Sequence, residues 1–99
     1  MEIEFAQERL SEGVRLRVLV RLSPRETNRL FLNGDTLIQL PLDGVVAQPE
    51  TAPIMRTSIF LSELAGSRDG LTRVFADAAA ADAYMASLRT QLENALEGP

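Results

Sequence analysis

The chain has 99 residues with ten Arg, no Lys, no His, no Cys and a net charge of −4. That length supports one domain with a single core, and the missing His and Cys remove disulfides, the usual zinc ligands and the bases that activate Ser or Cys nucleophiles. The acidic balance argues against general nucleic-acid binding, which rests on surplus cations neutralising phosphates, and no apolar run reaches the roughly 18 residues of a membrane span.

Apolar residues at 45% against 24% charged place the chain among folded rather than disordered sequences. Ten Arg without one Lys in an Ala-rich chain is the bacterial-like composition of GC-rich coding; the functional reading is a preference for forked contacts with carboxylate or phosphate. The start Met1-Glu2-Ile3-Glu4 has neither the basic nor the apolar region of a secretion signal. The expected location is therefore cytoplasmic.

Residues 2 to 10 alternate as a strand with Ile3 and Phe5 inward and Glu2, Glu4 and Glu8 outward. A short helix over Phe5 to Leu10, stopped by Gly13, is the competing reading. After the turn residues Ser11-Glu12-Gly13, the run from Val14 to Leu22 puts Val14, Leu16, Val18, Val20 and Leu22 on one face and Arg15, Arg17, Leu19 and Arg21 on the other. Matching the apolar faces of the two strands requires an odd-numbered residue to oppose an even-numbered one. Two registers satisfy this: Glu8 opposite Arg17 with Glu4 opposite Arg21, or Glu8 opposite Arg15 with Glu2 opposite Arg21.

Ser23-Pro24 breaks the strand pattern, since proline cannot donate to a ladder. Arg29 to Leu32 reads as a third strand, Asn33-Gly34-Asp35 as a hairpin turn and Thr36 to Leu40 as a fourth strand. Asp43-Gly44 offers a further turn, and residues 47 to 53, with two prolines, read as a surface loop. Ile54 to Leu61 reads as a strand, with two helical turns over Ser58 to Gly66 as the alternative. Ser67 to Gly70 forms a turn and Leu71 to Ala76 a short strand. Asp77 caps the helix that follows, whose stripe of Ala81, Tyr84, Met85, Leu88, Leu92, Ala95 and Leu96 must lie on a sheet or on a second copy, with Gly98-Pro99 as the stop. The fold expected is α+β, an antiparallel sheet of five to six strands built from successive hairpins, with one C-terminal helix packed on one face. A β-sandwich or small barrel with the helix appended is the alternative.

Three guanidinium groups on one strand face, Arg15, Arg17 and Arg21, followed by Arg25 and Arg29, could hold an anion or an acidic partner surface. The plain reading is a solvated face neutralised by the neighbouring glutamates. Arg25-x-x-x-Arg29 resembles, over five residues, the opening motif of PilZ-type cyclic-dinucleotide receptors; the Asp/Asn-x-Ser-x-x-Gly that follows in that family has no counterpart here. Tyr84, Met85, Leu88 and Leu92 offer an apolar helix face to a core or to a partner. The carboxylate pairs Asp35 with Asp43 and Asp77 with Asp82 read as turn and cap residues, and the glycines form no phosphate loop. The function expected is a non-catalytic interaction or assembly module that self-associates through an edge strand or the C-terminal helix. Its partner would be a protein or a second copy, with no cofactor, metal, nucleic acid or membrane. A small-anion or nucleotide sensor using the Arg face is the alternative.

Overall fold

The computed structural model describes residues 1–46 and 56–95. Strands β1 (Glu2–Leu10) and β2 (Gly13–Arg21) form an antiparallel hairpin across the two-residue connection Ser11-Glu12. Of the two registers that the apolar faces permit, the chain adopts the one with Glu8 opposite Arg15 and Glu2 opposite Arg21. Val14, Leu16, Val18 and Val20 are buried on one face of β2, while Arg15, Arg17 and Arg21 on the other are exposed. The alternation of the sequence is thus obeyed residue by residue. The helix weighed for Phe5 to Leu10 does not form.

Beyond β2 the chain departs from the expected third strand: residues Pro24–Asn33 form helix α1. Ser23 and Glu26 explain it. The Ser23 hydroxyl accepts from the Glu26 N–H at 3.2 Å and the Glu26 carboxylate accepts from the Ser23 N–H at 2.9 Å, a capping box with Pro24 in the first turn. Arg29 to Leu32 are therefore helical. Asn33-Gly34-Asp35 is no hairpin either: Gly34, at φ +94°, takes the chain out of the helix, a conformation that favours glycine.

Strand β3 (Leu37–Gln39) pairs antiparallel with β4 (Ser58–Phe60), which runs directly into the short helix α2 (Leu61–Gly66). Of the stretch from Ile54 to Leu61, residues 58 to 60 are strand and the helical alternative takes over at Leu61; Ile54 lies outside the described residues. So do the expected loop at 47 to 53 and the helix stop with Leu96, Gly98 and Pro99. Strand β5 (Leu71–Phe75) adds to the other side of β2, giving sheet order β1-β2-β5. Gly70 (φ +71°) makes the preceding turn, and a Cβ there would overlap the Val18 carbonyl oxygen. The architecture is α+β with antiparallel pairing and a C-terminal helix. The expected single sheet of five to six strands is instead a three-stranded and a two-stranded sheet, because α1 replaces the hairpin that would have joined them.

Helix α3 (Ala78–Ala95) begins after Asp77, whose carboxylate accepts from the Ala80 N–H at 2.9 Å. It lies on the buried face of the three-stranded sheet: the Tyr84 ring meets Phe75 at 4.9 Å between centroids, Arg89 sits 5.4 Å above the Phe5 ring, and Gln7 donates to Asp82 at 3.1 Å. On its flank, Gln91 exchanges two hydrogen bonds with the backbone of Gln39. Leu16, Val18, Ile38, Leu40, Leu61, Leu64, Phe75, Leu88 and Leu92 thereby share one core. Each such side chain contributes roughly 1.5–3 kcal/mol by leaving water.

One polar contact inside this core is incomplete. Arg73 opposes Leu16 on the inner face, and its terminal nitrogens reach the Thr72 and Arg56 carbonyls at 3.3 Å each. Burial pushes the Tyr84 hydroxyl pKa up, and the neighbouring Arg73 guanidinium opposes that push. Proximity does not make a bond here: the Tyr84 hydroxyl and Arg73 Nε are both buried without a hydrogen-bond partner. Tyr84→Phe keeps the ring against Phe75 and removes the unsatisfied oxygen. Urea denaturation is expected to show unchanged stability or a gain of up to about 1 kcal/mol, against the loss of about 1–3 kcal/mol that follows when a satisfied buried hydroxyl's partner is left orphaned.

Candidate interaction surface

The outer face of the three-stranded sheet, opposite α3, carries the arginine stripe. Arg15 donates to Glu8 at 2.7 Å, Arg21 stands 4.0 Å from Glu2, and Arg17 Nε donates to the Asp69 carbonyl at 3.0 Å. All three guanidinium groups are engaged by their own chain. Exposed pairs of this kind contribute about 0.2–1 kcal/mol each, enough to favour a register and too little to hold a fold. Arg25 and Arg29 sit on α1, so the five arginines are divided between two elements. Their engagement and division weigh against a shared anion site.

The helix stripe is likewise occupied from within. Tyr84, Leu88 and Leu92 are buried in the chain's own core, and Met85 is half-buried with its sulfur 3.7 Å from Gln7 Nε2. A stripe at three- and four-residue spacing seeks apolar cover, and the three-stranded sheet supplies it. This face is not available to a partner helix. The carboxylates do not converge: Asp35 holds Ser62, Asp77 caps α3 and Asp82 accepts from Gln7. Among the described residues no three acidic side chains are grouped as a metal site would need.

The surface that remains is built around α1. That helix buries only Leu30, and its start is held by polar contacts: beside the capping box, the Met1 ammonium donates to Glu26 at 2.9 Å. The Ser23 N–H first, and then the Met1 ammonium, hold the Glu26 carboxyl below its usual range. Between α1 and α2 runs a groove of about 440 Å³, with Leu22, Leu30, Phe31 and Ala65 as its apolar lining. Gly34 and Gly66 also line it, and a Cβ at either position would meet nothing within 4 Å. Its polar wall is Asp35, whose carboxylate accepts from the Ser62 hydroxyl, from the Ser62 N–H at 3.1 Å and from the Thr36 N–H at 2.9 Å. Asp35 thus fixes the wall.

Large apolar side chains stand out of this region into water. Phe31 is 88% and Leu32 80% exposed on α1. Two residues beyond the Asp35 and Ser62 wall, the cross-strand pair Leu37 and Phe60 is about half exposed as well. No protein family, curated protein or solved structure matches the chain. Sequence reasoning missed Phe31 and Leu32 because it placed them on a strand, where alternation would bury one of them. The signal that finds them is Ser23-x-x-Glu26: with the helix set by its cap, Leu30 faces in and its two successors face out.

Because the Glu26 pKa is lower in the folded state, its contribution to stability is complete above the unfolded value and is lost as the pH falls through the folded one. Between about pH 5 and pH 3 the wild type is expected to lose more stability than Glu26→Gln, whose side chain does not titrate. Hydrogen exchange of the α1 amides over that range reads the difference where it arises.

Proposed function

We propose that the protein is a non-catalytic assembly module that pairs with a second copy of itself through the α1–α2 surface. The observation that carries this reading is Phe31, 88% exposed at the rim of an apolar groove that it helps to line. A two-fold interface uses the same patch on both subunits, so the patch must be self-complementary. This one holds both halves of such a contact: a protruding aromatic with Leu32 beside it, and a groove to receive the partner's ring. Withdrawing an exposed Phe or Leu from water contributes about 1.5–3 kcal/mol per side chain, and the half-exposed Leu37 and Phe60 extend the apolar area past the groove wall. Aromatic anchors seated in pockets are the usual energetic centre of an interface.

Sedimentation equilibrium over a concentration series tests the reading. The wild type is expected to show a concentration-dependent mass rising to that of a dimer, while Phe31→Ser and Leu32→Ser each weaken association about tenfold or more without changing the circular dichroism. Both side chains are too exposed for their loss to unfold the monomer. A wild type that stays monomeric at millimolar concentration overturns the proposal.

A further inference from the structure

We propose that the outer edge of β1 accepts an extended, basic segment of a partner protein as an added strand of the three-stranded sheet. This surface is separate from the α1–α2 groove, and the proposal stands or falls independently of self-association. The sheet has two unequal edges. At β5 the C-terminal end of the outer side is covered by its own chain: Val45 bridges Phe75, the Val46 N–H donates to the Val74 carbonyl at 2.7 Å and the Ala76 N–H to the Gly44 carbonyl at 2.9 Å. At β1 no described residue pairs with the outer side, although the strand runs for nine residues. Every second N–H and C=O of such an edge points away from the sheet, which is the template that strand addition uses.

Charge selects the occupant. Glu2, Glu4 and Glu8 project from the face of β1 that α3 leaves uncovered. Glu2 and Glu8 have Arg21 and Arg15 as cross-strand partners, but Glu4 stands opposite Leu19 and makes no ion pair with a described residue. A second copy of β1, paired antiparallel about its middle, would set Glu4 against Glu8 or Glu2 against Glu8 on one face, and like charges directly opposite are destabilising. The edge therefore resists pairing with itself. A strand bearing Arg or Lys at alternate positions meets the opposite situation, with its cations facing the glutamates and one forked contact open to Glu4. On the other face β1 is held by α3, through Arg89 over Phe5 and Gln7 with Asp82, so the edge belongs to a fixed strand.

The probe is a capped synthetic peptide alternating arginine with threonine, titrated into the full chain and followed by amide chemical shifts and hydrogen exchange. Saturable shifts along β1 and slowed exchange of its outward-facing amides are expected, with Glu4→Lys lowering affinity about tenfold. Asp43→Lys, in the exposed turn beside β5 at the opposite edge of the sheet, makes the same change in net charge and is expected to lower affinity far less. The counterpart peptide with glutamate in place of arginine is expected not to bind. No binding, shifts centred elsewhere than β1, or equal losses from Glu4→Lys and Asp43→Lys would each overturn the proposal, the last by showing attraction to net charge alone.

Discussion

Four side chains on one face of β2, Val14, Leu16, Val18 and Val20, are the constraint on which the rest of the structure depends. β2 is the central strand, bonded to β1 on one side and β5 on the other. Its inner face meets α3, and α2 also packs against it. Because side chains alternate with a period of two, a slip of one residue would send this set to the solvent and bring arginines into the core. Register, helix docking and the placement of every outer-face charge are therefore one decision. Both registers that the apolar pattern permits offer two acid–arginine pairs, so the charges do not choose between them; the register adopted is the one that closes on the two-residue connection Ser11-Glu12.

From that core the structure loosens outward. The two-stranded sheet and α2 are tied in by Ile38, Leu40, Ile59, Leu61 and Leu64, all buried. Hydrogen bonds between Gln91 and Gln39 hold the smaller sheet to α3, and Asp35 holds the start of β3 to the start of α2. Helix α1 stands at the other extreme, with Leu30 as its one buried residue and with a cap and an ion pair for its anchors. Elements with few buried apolar contacts open at lower free energy than the core. The apolar groove thus has one wall supported by the core and one supported by polar contacts.

What could be read from the sequence follows the same gradient. The hairpin of β1 and β2, its two permitted registers, the turn at Gly70, the strand β5 and the capped helix α3 all rest on local patterns that tertiary structure reinforced. Two readings failed for different reasons. At residues 24 to 33 two local signals competed: Asn33-Gly34-Asp35 suggests a hairpin, whereas Ser23-Pro24-x-Glu26 is a helix start. The capping box satisfies two backbone donors at once, and Gly34 serves equally well as a helix exit, so the helix accommodates both signals and the hairpin only one. The pairing of β3 with β4 was illegible for another reason. Each strand is three residues long and the partners lie about twenty positions apart, so nothing local specifies the match. The candidate surface inherited both failures, since it is assembled from α1, the start of β3 and α2.

The two exposed features of the molecule differ in how water is kept from making them hazards. Along β1 the charges do it: glutamates on the open face hinder the strand from adding to its own copy, as edge strands of soluble proteins commonly require. At α1 no such device is present, because Phe31 and Leu32 stand side by side with no charge between them. Their burial in an interface would also stabilise a helix that its own chain supports weakly, because association with the folded form shifts the equilibrium by an amount set by concentration over the dissociation constant. The ten residues of α1, which give the monomer's core one buried side chain, would then gain most from pairing. That coupling of weak internal support to strong apolar exposure is what separates α1 from every other element of the fold, and it is why the assembly reading rests on that helix rather than on the arginine face.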